Sequence, residues 1–93
     1  MNWYEVFDEK TASPALFMAV FEDSHWERKY ILLSSPYCPE SLLIQYASDY
    51  SDFHLCLSAI MNDKCPIEYV VAALHHPDEN IRDIALEECA RRV

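Results

Sequence analysis

The sequence predicts an all-α fold: a short right-handed α-solenoid of about three helix-pair repeats, in a single domain that covers residues 1–93. Three observations support this prediction. Glycine is absent, so the chain has none of the Asn-Gly or Asp-Gly dipeptides that tight β-hairpins favour. Apolar residues recur with a period near 3.6, as on the buried face of a helix. Prolines recur at a nearly constant spacing, with 25 residues from Pro14 to Pro39 and 27 from Pro39 to Pro66.

Four prolines are predicted to mark the starts of helices. Pro14, Pro39, Pro66 and Pro77 each stand just ahead of a periodic apolar run. A helix tolerates proline in its first turn, because the fixed φ suits that turn and the missing N–H would have no partner there. A further helix start is predicted at "SHWE", residues 24–27, which has the pattern of a capping box.

Each predicted helix carries an apolar stripe that defines its buried face. A short leading helix could begin at "NWYE", residues 2–5. In chain order the stripes of the later helices are Phe17, Val20 and Phe21; Trp26, Tyr30 and Leu33; Leu42, Leu43, Tyr46 and Ala47; Phe53, Cys56, Leu57, Ile60 and Met61; Ile67, Val70, Val71 and Leu74; and Ile81, Ile84, Ala85 and Cys89. The residues expected to be buried in the core are Leu57, Ile60, Val70, Leu74, Ile81 and Ile84.

The helices group into three repeats, at approximately residues 12–34, 36–62 and 64–92. Each repeat has a proline, an apolar helix, a polar break and a second helix that opens with a hydrophobic anchor. The anchors are Trp26, Phe53 and Ile81. One helix pair cannot bury its apolar stripe alone, whereas stacked pairs form a continuous core, and three repeats are about the minimum for this.

The segment "CPIEYVVAALHHPDENIRDIALEECARR" resembles the leucine-rich variant repeat, a short helical repeat related in pattern to the longer HEAT-type repeats. The residues that fall on the pattern are Pro66, Val70, Leu74, Asp78, Ile81, Arg82 and Ala85. The resemblance is clearest over 64–92. It is fair over 36–62, where Leu55 replaces the arginine, and weak over 12–34, where Arg28 is displaced. The resemblance implies a curved helical stack that binds partners and carries no fixed chemistry.

The charge of the chain favours a basic protein as its partner. The chain has sixteen Asp and Glu residues and seven Lys and Arg residues, which gives a net charge of −9. This balance disfavours direct binding to nucleic acid and to anionic membranes, both of which need a basic surface. A basic protein surface, for example on a nucleic-acid-binding protein, complements it. The first ten residues lack the features of a signal peptide, and no apolar run reaches the roughly 20 residues of a membrane span, so we expect a cytoplasmic protein.

No set of residues predicts catalysis, so we expect a protein that is not an enzyme and that has no cofactor. Without glycine, the chain can form neither a nucleophile elbow nor a phosphate-binding glycine loop. The cysteines Cys38, Cys56, Cys65 and Cys89 stand singly, so we expect buried, reduced thiols rather than a metal site. A metal-cluster carrier stays among the alternatives, because some leucine-rich variant proteins carry a cluster in a separate cysteine-rich segment. This chain has no such segment.

Two function classes are compatible with these observations. The first is a non-enzymatic interaction module that acts as an inhibitor or adaptor of another protein. The second is a nucleic-acid mimic of the phage type, whose carboxylates imitate phosphates and block a defence or transcription protein, as in the anti-CRISPR and anti-restriction classes. An adaptor needs an exposed apolar or aromatic anchor ringed by polar groups. A mimic needs carboxylates in rows at phosphate-like separations of roughly 6 to 7 Å.

The predicted binding surface is an acidic ridge along the solvent edge of the second helix of each pair. Its residues are Glu27, Asp49, Asp52, Asp78, Glu79, Asp83 and Glu87. Seven like charges on one ridge repel each other, so a role in solubility alone would favour a mixed surface. The end helices of a three-repeat stack are exposed unless they are capped. Homodimerisation through the amphipathic first or last helix is therefore compatible with the pattern.

Overall fold

The computed structural model describes residues 7–92, and within that range it contains α-helices, one short 3₁₀ helix and no β-strand. The prediction of an all-α fold is therefore confirmed. The elements are α1 (Pro14–Glu22), α2 (Trp26–Leu33), α3 (Glu40–Ala47), α4 (Phe53–Met61), α5 (Ile67–Ala72) with the 3₁₀ helix Ala73–His75 after it, and α6 (Glu79–Arg92). The predicted leading helix at "NWYE" lies outside the described residues. No described helix has the length and apolar character needed to cross a membrane.

The prolines stand at the helix starts, as predicted. Pro14 is the first residue of α1, while Pro39 and Pro66 directly precede α3 and α5 as their N-cap residues. Pro77 lies two residues before α6, and Asp78 caps that helix. The Asp78 carboxylate accepts hydrogen bonds from the backbone N–H groups of Asn80 and Ile81, at 2.8 and 3.3 Å.

The prediction of a capping box at the start of α2 is wrong. The N-cap residue is His25, and its side chain makes no capping hydrogen bond. Ser24 instead donates from Oγ to the carbonyl of Val20 at 2.6 Å, so its hydroxyl bonds back to α1 rather than forward to α2. Trp26, the predicted anchor of the helix, is 55% exposed. The buried residues of α2 are Leu32 and Leu33, in its last turn.

The second helices of the three pairs, α2, α4 and α6, pack side by side, with α4 in the middle. The contacts between α2 and α4 join residues at a constant separation in the sequence. The ring of Trp26 lies on that of His54 at 5.3 Å, and Ser58 Oγ donates to the carbonyl of Tyr30 at 2.7 Å. Each partner in α4 follows its partner in α2 by 28 residues, so the two helices run parallel and in register.

The last helix, α6, runs in the same direction as α4. Near its C-terminal end, Arg92 Nη2 donates to the carbonyls of Ile60 and Asn62 at 3.1 and 2.7 Å. Near its N-terminal end, the ring of His76 lies 4.4 Å from that of Tyr50, which precedes α4. The N-terminal ends of α2, α4 and α6 therefore all lie on one side of the molecule.

The core lies between the first and second helices and contains most of the predicted stripe residues. Of the six residues expected in the core, three are buried and three are half-buried. The buried ones are Ile60, Val70 and Ile81, and the half-buried ones are Leu57, Leu74 and Ile84. The stripes of α1 and α3 are also confirmed, with Phe17, Val20, Phe21, Leu42, Leu43 and Ala47 buried and Tyr46 half-buried.

Two of the predicted apolar stripes, those of α4 and α5, include residues that are exposed in the structure. In α4, Leu55 and Ala59 are buried, whereas Met61 is exposed. The reason is that α4 touches α2, α3 and α6, so its buried surface is wider than one stripe and turns toward these neighbours. In α5, Ile67 and Val71 are exposed, because this short helix packs mainly on α6, the following 3₁₀ helix and α3.

Candidate functional site

The three turns that join the helices of each pair form one side of the molecule. They comprise residues 22–27, 48–54 and 75–79, and together we call them the turn edge. The parallel second helices begin here, and the antiparallel first helices end here. Tyr50, for example, donates from its hydroxyl to the carbonyl of Ala72, the last residue of α5, at 3.2 Å. Cys56, near the start of α4, has its thiol 3.5 Å from the carbonyl of Ala47, the last residue of α3.

Five of the seven predicted ridge residues lie on the turn edge. Glu27 is in the first turn of α2, Asp49 and Asp52 precede α4, and Asp78 and Glu79 stand at the start of α6. The other two, Asp83 and Glu87, lie farther along α6 and are exposed. The structure therefore gathers most of the predicted residues at helix N-termini, where the helix dipole favours negative charge.

Three of the predicted residues have a structural role as hydrogen-bond acceptors for the backbone. Asp52 Oδ1 accepts from the N–H of Leu55 at 3.0 Å and so caps α4, just as Asp78 caps α6. Asp49 Oδ1 accepts from the hydroxyl and the N–H of Ser51, at 2.5 and 3.1 Å. The Ser51 hydroxyl, followed by its N–H, lowers the pKa of the Asp49 carboxyl below its usual value. These carboxylates shape the turns whether or not they meet a partner.

The remaining four carboxylates face solvent. Glu27, Glu79, Asp83 and Glu87 are exposed, and none of them forms a hydrogen bond or ion pair with the described part of the chain. Glu79, Asp83 and Glu87 recur every four residues and so follow one side of α6. These charges are available to a partner without the loss of an internal contact.

The electric field at the turn edge is negative enough to affect neighbouring groups. The pKa of Tyr46 is raised first by burial and then by the charges of Glu22, Asp49 and Asp52. Burial and the charges of Asp49 and Asp52 act in the same direction on Cys56, whose pKa is raised to about 11. Glu22 therefore belongs to the same acidic surface, although it is outside the predicted ridge.

Exposed aromatic side chains lie among these carboxylates. Trp26 is 55% exposed and stacks on the ring of His54 with 29° between the ring planes. His54 also meets the ring of Phe53 edge-on at 5.2 Å. Tyr50 is 38% exposed, and its ring lies beside that of the buried His76. The sequence interpretation assigned Trp26 to the core and so missed this feature; the polar residues on both sides of Trp26, in "SHWE", are the signal that favours exposure.

The basic residues have internal partners on both sides of the molecule. At the turn edge, Arg82 Nη1 donates to the carbonyls of His76 and Pro77, and Lys29 lies over the ring of Phe21 at 5.3 Å. At the opposite edge, Arg91 pairs with Asp63 and Glu88, both at 2.5 Å. These three cations are occupied by backbone carbonyls, a ring or other carboxylates, so they do not neutralise the exposed carboxylates of the turn edge.

The described residues provide little for catalysis or for metal binding. Burial raises the pKa of Cys38 to about 12 and that of Cys65 to about 11, so these thiols stay protonated near neutral pH. No three His, Cys, Asp or Glu side chains in residues 7–92 converge as metal ligands would. A groove of about 370 Å³ lies at the opposite edge and is lined by Ser34, Pro36, Met61, Asn62, Asp63 and Lys64. It contains no nucleophile paired with a base.

Comparisons with protein-family models, with curated proteins and with solved structures find no match for this chain.

Proposed function

We propose that the protein is a short α-solenoid of three helix pairs that binds another protein with a basic surface, through the turn edge. The observation that carries the proposal is the in-register, parallel packing of α2, α4 and α6. This packing collects the acidic N-terminal turns of three helices, together with exposed aromatic rings, on a single side of a small molecule.

The solenoid part of the proposal is supported by contacts that repeat along the chain. Asn62, after α4, donates to the carbonyls of Leu33 and Ser35 at the end of α2. Arg92, at the end of α6, donates to the carbonyls of Ile60 and Asn62 at the end of α4. The acceptors in the two sets differ by 27 residues, the spacing between Pro39 and Pro66. Equivalent contacts at a fixed interval are expected for stacked repeats.

The binding part of the proposal is supported by the composition of the turn edge. Interfaces concentrate their binding energy in a few aromatic or arginine anchors surrounded by polar groups. Trp26 and Tyr50 are exposed here, and Glu27 and Glu79 lie on the same edge with their carboxylates exposed to solvent. Because the chain has a net charge of −9, a basic partner would be attracted over a long range at low salt. An inhibitor or adaptor needs no more than this surface.

A nucleic-acid mimic is the second candidate, and the exposed row on α6 favours it. Glu79, Asp83 and Glu87 are four residues apart, which corresponds to about 6 Å along a helix axis. That separation is close to the phosphate spacing that a mimic needs. A single row imitates one strand only, whereas the aromatic anchors of the turn edge have no counterpart in a phosphate backbone. For this reason we favour the interaction module.

The test begins with capture of the partner by the wild-type protein from the cells that produce it, and its identification by mass spectrometry. The affinity of the purified partner is then measured for two double variants. Glu27→Gln with Glu79→Gln alters the first turns of α2 and α6, on the turn edge. Glu40→Gln with Glu68→Gln alters the first turns of α3 and α5, on the opposite edge, and changes the net charge equally.

We expect the turn-edge pair to raise Kd about tenfold and the opposite-edge pair to raise it less than about threefold, because only the first pair lies within the interface. The wild-type Kd should also rise steeply with salt. Equal effects of the two pairs, or an affinity independent of salt, would rule out the turn edge as the binding surface. A third variant, Asp83→Asn with Glu87→Gln, tests the mimic, since loss of binding in that variant alone would identify the α6 row as the interface.

A further inference from the structure

The ring pair formed by Trp26 and His54 has the features of a binding anchor rather than of a core contact. We propose that Trp26, supported by His54, receives an arginine side chain of the basic partner, an inference that rests on the proposed function of the turn edge. The imidazole of His54 covers one side of the indole at 5.3 Å. More than half of the Trp26 surface remains open to solvent.

The position of Trp26 in α2 explains why it can serve a partner. It is the first residue of the helix, ahead of the buried pair Leu32 and Leu33 in the last turn. His54 is the second residue of the parallel helix α4, and the two rings meet because the helices are in register. Trp26 therefore has a fixed orientation without being buried. A rigid, exposed ring loses little conformational freedom on binding, which is a property of aromatic anchors in interfaces.

The charges around the ring pair specify the chemistry of the occupant. Glu27 follows Trp26 directly and is exposed, and Asp52, two residues before His54, is half-buried. Glu27 lies in the first turn of α2, and Asp52 is the N-cap residue of α4. An apolar side chain would gain binding free energy from its contact with the indole alone. A cation gains it both from the face of the ring and from the carboxylates.

Among cations, the guanidinium of arginine fits this site better than the ammonium of lysine. It is planar, so it can stack on an aromatic face, and it is less strongly hydrated than an ammonium. Its five N–H donors lie in the plane of the group, so they stay free to bond to carboxylates while that plane is stacked on the indole. A lysine would be attracted by the charge of the turn edge but would interact more weakly with the indole ring of Trp26. The site should therefore prefer arginine, and the preference should depend on the indole.

The experiment compares two fluorescein-labelled peptides of equal length and charge, nona-arginine and nona-lysine, by fluorescence anisotropy at low salt. We expect wild type to bind nona-arginine at least about fivefold more tightly than nona-lysine. Trp26→Ala should remove most of this difference by weakening the binding of nona-arginine, and Trp26→Phe should retain part of it. Ile31→Ala is the matched control, since Ile31 is an apolar residue in the last turn of α2 that is at least as exposed as Trp26. It should leave both affinities unchanged.

Circular dichroism of each variant establishes that the helices are intact. An arginine preference that survives in Trp26→Ala would overturn the inference and leave the acidic turn edge as a general cation-binding surface, so that the proposed function stands. Equal affinity of the two peptides for wild type would have the same meaning. Absence of binding by either peptide would instead overturn the proposed function, and this inference with it.

Discussion

Asn62 and Arg92 make equivalent contacts, to carbonyls that lie 27 residues apart in the sequence. The side-chain amide of Asn62 donates to the carbonyls of Leu33 and Ser35 at 2.7 and 2.9 Å, and the guanidinium of Arg92 donates to those of Ile60 and Asn62. The last carbonyls of a helix have no partner within it. Each of these side chains provides one from the neighbouring parallel helix, and so holds the C-terminal ends of the second helices in register.

We predict that Asn62→Ala destabilises the protein by about 1–3 kcal/mol, because it removes the donor to the carbonyl of Leu33 and leaves the carbonyl of Ser35 with the N–H of Cys38 as its donor. Asn62 is buried, so water cannot easily replace the lost amide. Urea denaturation followed by circular dichroism measures the effect. Asn80→Ala is the control: Asn80 is exposed in the first turn of α6, and its replacement should change the stability by less than about 0.5 kcal/mol. Similar losses in both variants would mean that the Asn62 contacts do not stabilise the fold.

The buried thiols predict a loss of stability at alkaline pH. Burial raises the pKa of Cys38 from 9.0 to about 12 and that of Cys56 and Cys65 to about 11. A thiol whose pKa is raised by folding contributes stability that is complete below the unfolded pKa, near 9, and is lost as the pH rises toward the folded value. The urea midpoint should therefore fall between pH 9 and pH 11. Cys38→Ala should show a shallower fall; an unchanged slope would contradict the assignment.

Much of the fold could be predicted from local sequence, because the signals involved act over one helix turn. Pro14 begins α1, Pro39 and Pro66 are N-caps, and the stripe of Phe17 and Phe21 is buried. Proline placement and the apolar period depend only on neighbouring residues, and the absence of glycine removes the competing β-hairpins. The all-α class followed from these local rules.

The errors arise where burial depends on packing between distant segments. The stripe of α4 was assigned by its period alone, but α4 has three neighbours, which bury Leu55 and leave Met61 exposed. The acidic ridge was predicted as a solvent edge, whereas Asp52 and Asp78 act as caps. An aspartate just ahead of an apolar helix is itself a capping signal, so this role could have been predicted from the sequence. The stacking of Trp26 on His54 could not, because it depends on the register of α2 and α4.

The exposure of Trp26 predicts that its removal costs little stability. Trp26→Ala should reduce the free energy of unfolding by less than about 1 kcal/mol, because more than half of the side chain is already in contact with water. Phe21→Ala removes a fully buried ring that lies 5.1 Å from that of Tyr46, and should cost about 3–5 kcal/mol. Chemical denaturation of the two variants provides the comparison. If Trp26→Ala were as destabilising as Phe21→Ala, the indole would belong to the core, as its helical stripe first indicated.

Single replacements of the ridge carboxylates should divide them into two groups by their effect on stability. The first group contains the carboxylates that accept backbone hydrogen bonds, and the second contains the exposed ones. Asp52→Ala removes the acceptor for the Leu55 N–H and should cost about 1 kcal/mol, while Asp52→Asn keeps an acceptor oxygen and should recover most of that loss. Asp83→Ala, in the exposed row of α6, should change the stability by less than about 0.5 kcal/mol. Thermal or urea denaturation distinguishes these values. Partner binding should be judged from residues of the second group, because a loss of affinity in an Asp52 variant could come from a frayed α4. A stable Asp52→Ala protein would show instead that the cap is dispensable, and that Asp52 is as free to meet a partner as Glu27 and Glu79.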